Sequence, residues 1–218
     1  MAGRISDMDD VRRGLDALSR VEPRLGLARA RVEAVGEVPL RLDRPGFAPL
    51  VEIICAQQIS RASADAIHAR LRALLDPLTP EALLAMSEEE ARHVGLSRPK
   101  ERTLRTTASA VLDGTLDPVG ACDLPAEEAV AHIVAVPGLG PWTAGVYLLF
   151  CGGHPDILPA GDVALQISAS VALRGSETPR MSARELEAAG RAWSPWRGVA
   201  ARLLWAHYAV LKGREVIP

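Results

Sequence analysis

The sequence predicts an all-α protein, and it does so before any motif is considered. Within residues 7–20, apolar residues recur at the three-to-four-residue spacing of one helix face. At Ser87 and Ser182, a serine followed three residues later by a glutamate forms the signature of a helix capping box. No convincing alternating strand pattern precedes the Gly- and Pro-containing loop at 36–46. Helical spacing and helix caps therefore favour a fold built from helices.

The first half of the chain predicts a series of helices that are separated by turn residues. The segment at 47–59 is strongly apolar and is expected to be buried, whereas the others carry one apolar face. Ser60 is the expected cap of the helix that follows. The predicted helices are 7–20 with Ser6 or Asp7 as its cap, 22–34, 47–59, 60–75, two short ones within 80–94, and one that ends near Leu112 before Asp113-Gly114.

The centre of the second half is the run Val136-Pro137-Gly138-Leu139-Gly140-Pro141-Trp142-Thr143-Ala144. It predicts a turn between a helix at 124–135 and a second helix that begins at Pro141 and ends near Cys151. We expect Gly140 to adopt the positive φ that other residues resist. A helix that begins behind glycine-flanked amides is a natural seat for a phosphate. A plain corner between two helices is the alternative interpretation.

Asp162 ends the segment Leu158-Pro159-Ala160-Gly161-Asp162 and precedes an apolar run, so it is expected at a helix N-terminus. Its ordinary role there is an N-cap, which is compatible with a further role because the cap holds the carboxylate in place. A helix that starts after Ser182, a kinked junction at 193–197 and a last helix at 197–212 complete the predicted elements.

The net charge and the positions of the cysteines limit the possible functions. The net charge of −2 does not indicate a nucleic-acid protein, so DNA binding would need locally placed positive charge. The isolated cysteines form no cluster with histidines, which disfavours structural zinc and iron–sulfur clusters. No apolar run approaches about 18 residues and no signal peptide is visible at Met1-Ala2-Gly3-Arg4, so a soluble intracellular protein is expected. The cysteines are Cys55, Cys122 and Cys151.

Two groups of side chains could mark a site. All four tryptophans fall in the C-terminal half, although each could equally fill the core. A basic cluster lies near a helix start, where a solvated surface is the more common explanation than DNA contact. The tryptophans are Trp142, Trp193, Trp196 and Trp205, and the cluster is Arg98, Lys100, Arg102 and Arg105.

Five motifs in order make the sequence resemble the helix-hairpin-helix DNA glycosylases, and among them the 3-methyladenine DNA glycosylase II family. The resemblance covers about residues 45–212. It implies two helical lobes with a cleft between them, roughly 47–112 and 113–218, within one domain over 1–218. The N-terminal helices would pack back on the C-terminal lobe, and about 45 residues are too few for the N-terminal β domain of some relatives. The motifs are Ala56-Gln57-Gln58-Ile59-Ser60, Gly95 to Lys100, the run 136–144, Pro159-Ala160-Gly161-Asp162 and Trp193-Ser194-Pro195-Trp196-Arg197.

The resemblance also implies roles for individual residues. Asp162 would be the catalytic carboxylate, and Trp142 and Trp205 would face the pocket of the extruded base. Val146 stands where a close relative has a pocket aromatic, with Tyr147 next to it, which suggests a wider and less selective pocket. Trp193 and Trp196 match family positions as well, but we expect both to pack in the core.

For DNA contact, the resemblance implies a wedge at Gln58, with Ile59 beside it, that fills the stack where the target base has left. The alternative is that the glutamines only satisfy carbonyls at the helix end. Gly138, Leu139, Gly140 and Thr143 would contact DNA, with the amides of Gly138, Gly140 and Trp142 donating to one phosphate. The carbonyls of Val134, Val136 and Leu139 would hold a monovalent cation, Na⁺ or K⁺, at the hairpin; no other cofactor is expected.

The implied function is a monofunctional DNA glycosylase that removes 3-methyladenine, 7-methylguanine and a broader range of alkylated bases in base excision repair. Relatives that also cut the strand carry a Lys where this chain has Trp142, so no lyase activity is expected. Gln166 and Ser168 replace basic residues that often follow the catalytic Asp, which suggests weaker phosphate contact. The expected partner is double-stranded DNA with alkylated bases, bound by a cytoplasmic, nucleoid-associated monomer without membrane attachment.

Two other functions compete with this one. A non-catalytic helix-hairpin-helix module that binds DNA or senses damage would explain the hairpin but not Asp162, Trp142 or Trp205. A glycosylase for oxidised or mismatched bases is disfavoured by the missing Lys and the missing cysteine cluster.

Overall fold

The computed structural model describes residues 3–216, apart from the side chain at position 61. Both ends of the domain expected over 1–218 lie outside these residues. They include Met1 and Ala2, which fall in the segment where no signal peptide was predicted. Within 3–216 every regular element is a helix, which confirms the all-α prediction. No helix in this range is both long and apolar enough to cross a membrane.

The described residues form twelve α-helices and two short 3-10 helices. The α-helices are α1 (Met8–Val21), α2 (Leu25–Glu33), α3 (Phe47–Ala56), α4 (Arg61–Leu74), α5 (Pro80–Ala85), α6 (Glu88–Val94), α7 (Arg98–Leu112), α8 (Ala126–Val134), α9 (Pro141–Phe150), α10 (Val163–Arg174), α11 (Ala183–Gly190) and α12 (Arg197–Leu211). The 3-10 helices are Gly120–Asp123 and Arg191–Trp193.

The predicted caps are largely confirmed, and the structure settles one choice that the sequence left open. Asp7 caps α1, whereas Ser6 donates to Asp10 from the preceding turn. Ser60, Ser87 and Ser182 cap α4, α6 and α11 through their hydroxyl groups. Since each serine oxygen accepts an otherwise orphaned backbone N–H, these positions fix where the helices begin.

One helix ends earlier than the sequence indicates. The apolar helix predicted over 47–59 stops at Ala56, and the chain then turns through Gln57 and Gln58. Gln58 has a φ of +58°, a left-handed conformation that few residues other than glycine adopt. The glutamines and Ile59 therefore form an exposed turn between α3 and α4 instead of a last helical turn.

The first of two compact units consists of residues 3–42 and 153–216. Here α12 packs against α1, α2 and α10, so helices from both ends of the chain share this unit. Gly14 permits the close approach of α1, because a Cβ at this position would lie 2.6 Å from Val199 Cγ2. Arg202 is fully buried in α12 and donates through Nε to the carbonyl of Leu40, which anchors the segment after α2.

The second compact unit is residues 43–152. In it α3 packs against α4, α7 and α9, α5 packs against α7, and α8 packs against α9. The division differs from the lobes expected at 47–112 and 113–218, because residues 113–152 belong with residues 43–112. The contacts of α9 with α3 explain the difference, since they bind both hairpin helices to the middle of the chain.

Tyr147 holds the core of the 43–152 unit. Its side chain is fully buried, and its hydroxyl donates to the carbonyl of Pro118 at 2.9 Å and accepts from the amide of Gly46 at 2.8 Å. Burial is the main reason that the pKa of this hydroxyl lies above its ordinary value. The hydroxyl thus joins α9 to two loops by one hydrogen bond to the backbone of each.

Replacing this hydroxyl tests its structural role. We expect Tyr147→Phe to lower the free energy of unfolding by about 1–3 kcal/mol, because the Gly46 amide loses its acceptor and the Pro118 carbonyl keeps only the weak thiol donor of Cys122. Urea unfolding measures the effect, and Tyr208→Phe on the half-buried end of α12 is the matched control. Equal unfolding midpoints for the two variants would contradict this role.

Candidate functional site

The Asp162 carboxylate is held in place by three hydrogen bonds. It is the N-cap of α10, and its Oδ1 accepts from the amides of Ala164 at 2.8 Å and Leu165 at 3.1 Å. The same oxygen accepts from the indole Nε1 of Trp205 at 3.2 Å. The side chain is half-buried. The structure thus confirms the predicted helix N-terminus and brings two predicted site residues, Asp162 and Trp205, into direct contact.

The segment before Asp162 is held by the helix that follows it. Gln166 is buried and its Nε2 donates to the carbonyl of Ala160 at 2.8 Å, while the amide of Asp162 donates to the carbonyl of Pro159. Ser168 is fully buried as well. Both side chains face the interior, so neither is placed to contact a phosphate, and the weaker phosphate contact stays a prediction.

The other tryptophans of this unit are structural. Trp193 is fully buried, as expected for a packing residue. Trp196 is half-buried and lies against α1, where a Cβ on Gly14 would meet its ring at 2.8 Å. Trp205 therefore differs from both, since its ring is partly accessible and its N–H is directed at a carboxylate.

The hairpin between α8 and α9 lies in the 43–152 unit. Its turn is closed by a hydrogen bond from the amide of Leu139 to the carbonyl of Val136 at 3.0 Å. Gly138 has a φ of +96°, whereas Gly140 has a φ of −101° and is extended, so the expectation that Gly140 supplies the positive φ was wrong. Gly138 also lies close to α7, because a Cβ there would be 2.5 Å from Thr103 Oγ1.

The hairpin presents backbone donors at an exposed corner. Within residues 3–216, the amides of Gly138, Gly140 and Thr143 make no backbone or side-chain hydrogen bond. Pro141 occupies the first helical position, where its missing N–H costs nothing. Unpaired amides at a helix N-terminus form an anion-binding arrangement, and a phosphate is an anion of the right size. Leu139 contributes only backbone to it, since its side chain is buried.

The Thr143 side chain does not contribute to that corner. It is buried, and its Oγ1 accepts from Gln57 Nε2 at 2.6 Å. The DNA contact expected of Thr143 is therefore left to its amide. Sequence reasoning missed Gln57, which ties the turn after α3 to the start of α9. The doubled glutamine was the available signal, but it could not show which of the two faces inward.

Gln58 and Ile59 are exposed beside this anchored turn, and Ile59 is 38% accessible although it is a large apolar residue. A groove of about 360 Å³ opens next to them between α3, α4 and α7. None of the predicted base-pocket residues lines it. The lining residues are Ile54, Gln57, Gln58, Ile59, Ile67, Gly95, Ser97, Pro99, Lys100 and Thr103.

Trp142 and Val146 share one face of α9, four residues apart, and both are half-buried. They can therefore line a recess together, in a unit other than that of Asp162 and Trp205. Tyr147 cannot join them, because its side chain is fully buried and its hydroxyl is used by two loops. Its prediction as a pocket-wall residue was wrong.

The basic cluster has two kinds of members. Lys100 Nζ donates to the carbonyl of Cys55 at the end of α3, at 2.5 Å, and Arg105 donates to the carbonyls of Leu84 and Met86. Both side chains thus satisfy helix-end carbonyls. Arg98 and Arg102 are exposed and remain as positive charge on the surface of α7.

Other groups within residues 3–216 that could take part in chemistry are the possible metal ligands and the cysteine thiols. No group of His, Cys, Asp and Glu that could hold a metal ion occurs among them. Burial raises the pKa values of Cys55 and Cys151 to about 12, so these thiols stay protonated and are poor nucleophiles. At the hairpin, the carbonyl of Val136 accepts the Leu139 amide, whereas those of Val134 and Leu139 accept no backbone hydrogen bond from the described residues.

Two helices joined by a glycine-rich turn with unpaired amides define a helix-hairpin-helix protein. Residues 51–193 match the family model for the HhH-GPD superfamily base excision DNA repair protein. Because this match covers more than half of the chain, the protein belongs to the HhH-GPD superfamily.

Three relatives illustrate the similarity. A crystal structure of a DNA-3-methyladenine glycosidase from Bacillus halodurans superposes with a TM-score of 0.78 at 30% identity, over 93% of this chain and 92% of that one. The Schizosaccharomyces pombe 3-methyladenine DNA glycosylase in complex with abasic DNA gives a TM-score of 0.72 at 25% identity, over 81% and 88%. A probable bifunctional transcriptional activator/DNA repair enzyme AlkA of Mycobacterium tuberculosis is 28% identical over 91% of this chain, which spans only 44% of that protein.

The hairpin turn makes a direct prediction about its two glycines. Gly138→Ala should lower the free energy of unfolding by at least about 1–2 kcal/mol, because an alanine is strained at positive φ and its Cβ would collide with Thr103. Gly140→Ala is the matched control, since its φ is negative and nothing lies within 4 Å of the added Cβ. Thermal unfolding distinguishes the two, and an equal loss in both variants would contradict the assignment of the strained position.

Proposed function

We propose that this protein is a DNA glycosylase that hydrolyses the N-glycosidic bond of alkylated bases in base excision repair. The observation that carries the proposal is the Asp162 carboxylate, which one indole and two backbone N–H groups hold at the start of α10. Membership of a base excision repair superfamily and the names of the similar proteins support it.

The chemistry needs little more than a fixed negative charge. Alkylation of a ring nitrogen makes the base positively charged, so it leaves without a strong general acid. The positive charge that develops on the sugar is what needs stabilisation. A carboxylate about 4 Å away contributes on the order of 4 kcal/mol at an effective dielectric near 20. That corresponds to about a thousandfold in rate. Asp162 supplies this charge and orients the attacking water.

The base must leave the duplex before this carboxylate can act on its sugar. The unpaired amides of Gly138, Gly140 and Thr143 hold a backbone phosphate, a contact that fixes position without reading sequence. This contact allows a protein with a net charge of −2 to bind double-stranded DNA, with Arg98 and Arg102 adding local positive charge. Gln58 or Ile59 enters the stack where the base has left, as their exposure on an anchored turn permits.

The tryptophans and Val146 define the proposed lesion class. Trp142 and Trp205 each offer a π-face on which an electron-poor base can stack. Val146 is smaller than an aromatic residue, and Tyr147 adds nothing to the wall because it is buried. The proposed range therefore extends beyond 3-methyladenine and 7-methylguanine to bulkier alkylated bases.

We further propose that the protein acts as a monomer where DNA is accessible, in the cytoplasm or on the nucleoid. A Na⁺ or K⁺ ion at the hairpin would bind the carbonyls of Val134 and Leu139, which accept no backbone hydrogen bond from the described residues. Such an ion would add positive charge beside the bound phosphate. The carbonyl of Val136 accepts the Leu139 amide and keeps a second lone pair for the ion.

Removing the charge at Asp162 tests the proposed function. Asp162→Asn should reduce base release by about a thousandfold, since the amide keeps an acceptor for the same N–H groups but carries no charge. The measurement is single-turnover excision from duplexes that each contain one defined lesion, followed by alkali cleavage of the abasic sites. Affinity for DNA with an abasic site should stay unchanged.

Asp113→Asn on the exposed end of α7 is the matched control and should excise like the wild type. Unchanged excision by Asp162→Asn would contradict the catalytic role. A wild type that binds abasic DNA but releases no base from any lesion would instead favour the non-catalytic DNA-binding module. Excision of 3-methyladenine alone would contradict the wide pocket.

The side chain at position 142 predicts the type of product. We expect the protein to leave an intact abasic site and to form no covalent DNA adduct with borohydride, because an indole cannot form a Schiff base. The Clostridium acetobutylicum 8-oxoguanine glycosylase/lyase serves as the positive control for trapping. A trapped adduct would contradict this expectation and show that an amine elsewhere in the chain attacks the sugar.

A further inference from the structure

A buried histidine lies next to the candidate site and has no part in the chemistry described so far. His207 in α12 is 1% accessible, and its Nδ1 lies 2.9 Å from the hydroxyl of Ser168 in α10. Its Nε2 lies 3.4 Å from a guanidinium nitrogen of Arg31 in α2. The three residues connect three helices that pack on one another in the same compact unit.

The contact with Arg31 fixes the tautomer of the ring. A guanidinium can only donate, so Nε2 must accept and the proton must sit on Nδ1. The imidazole therefore donates to Ser168 Oγ. Burial, and secondarily the charge of Arg31, lowers the pKa of His207 to about 4, so the ring is neutral at pH 7.

This hydrogen bond is a second attachment between the two helices that carry the candidate site. The first attachment is the bond from Trp205 Nε1 to Asp162. Trp205 and His207 are two residues apart on α12, so they leave the helix about 200° apart, while Asp162 and Ser168 are separated by about 9 Å along α10. Two attachments that point in different directions prevent α12 from rotating or sliding along α10.

We propose that His207 is a positioning residue: through Ser168 it fixes how α12 is turned against α10, and so keeps the Trp205 N–H on the Asp162 carboxylate. This inference rests on the proposed function, because it assigns to Asp162 the charge that acts on the sugar. A rotation of α12 that breaks the Ser168 bond also moves the indole away from the carboxylate. A displacement of about 1 Å at a catalytic group can cost about a hundredfold in rate.

The chain offers a matched control on the same helix. Ser170 is also buried, but its hydroxyl accepts from the amide of Met181 and donates to the carbonyl of Gln166, and neither partner lies on α12. Ser168→Ala and Ser170→Ala therefore each remove one buried hydroxyl from α10, and only the first removes an attachment to α12. A comparison of the two variants therefore distinguishes an effect on the orientation of α12 from a general loss of stability.

The test measures single-turnover excision and, separately, affinity for DNA with an abasic site. We expect Ser168→Ala and His207→Leu to slow excision by about tenfold or more with affinity unchanged, while Ser170→Ala excises like the wild type. His207→Asn, which places an amide N–H where Nδ1 is, should recover most of the rate. Equal rates for Ser168→Ala and Ser170→Ala would overturn the proposal.

A readout without catalysis keeps this test separate from the proposed function. The fluorescence of Trp205 is obtained in each variant as the difference from the same protein with Trp205→Phe. Ser168→Ala should change this difference spectrum and Ser170→Ala should not. If the wild type releases no base, the proposed function fails, and the spectra alone test the positioning role of His207. Identical spectra in both serine variants would overturn that role.

Discussion

The structure of the candidate site depends on one carboxylate at the start of one helix. Asp162 Oδ1 accepts two amides of its own helix and the indole N–H of Trp205, so local capping and tertiary packing act on the same oxygen. An N-cap alone would leave the side chain free to choose other rotamers at the surface. The indole from α12 removes that freedom, and a catalytic charge is worth most when it needs no rearrangement during the reaction.

The proposed contact with DNA follows a different rule, because it relies on backbone groups. The hairpin exposes amides that have no partner within the described residues, and it can do so only because Gly138 adopts a positive φ close to Thr103. Backbone donors add no formal charge, which is consistent with the slightly acidic composition of the chain. The Gln57–Thr143 hydrogen bond fixes the exposed turn at Gln58 and Ile59 relative to this hairpin. One hydrogen bond thus holds the proposed phosphate contact and the proposed wedge at a fixed distance from each other.

Sequence reasoning was most reliable where structure is decided locally. The serine caps and the N-terminal position of Asp162 were predicted because capping depends on residues within one turn. It failed where the outcome depends on which side of a helix faces another helix. Tyr147 and Thr143 were expected at the site, yet both side chains are buried and bonded to Pro118 and Gln57, which are their neighbours in space. These contacts join segments far apart in the chain, so no local pattern reveals them.

Buried polar side chains near Asp162 have to lose their hydration on folding, which costs free energy, so their presence needs an explanation. An apolar pair between α10 and α12 would pack without the desolvation of a histidine and a serine, and leaving either without its partner would cost more than the bond contributes. Hydrophobic packing tolerates small rotations, whereas a hydrogen bond of 2.9 Å fixes distance and direction. In the same way, the buried Gln166 side chain donates to the carbonyl of Ala160 and fixes the segment before Asp162. Buried polarity around the carboxylate therefore indicates a requirement for orientation, which stability alone would not impose.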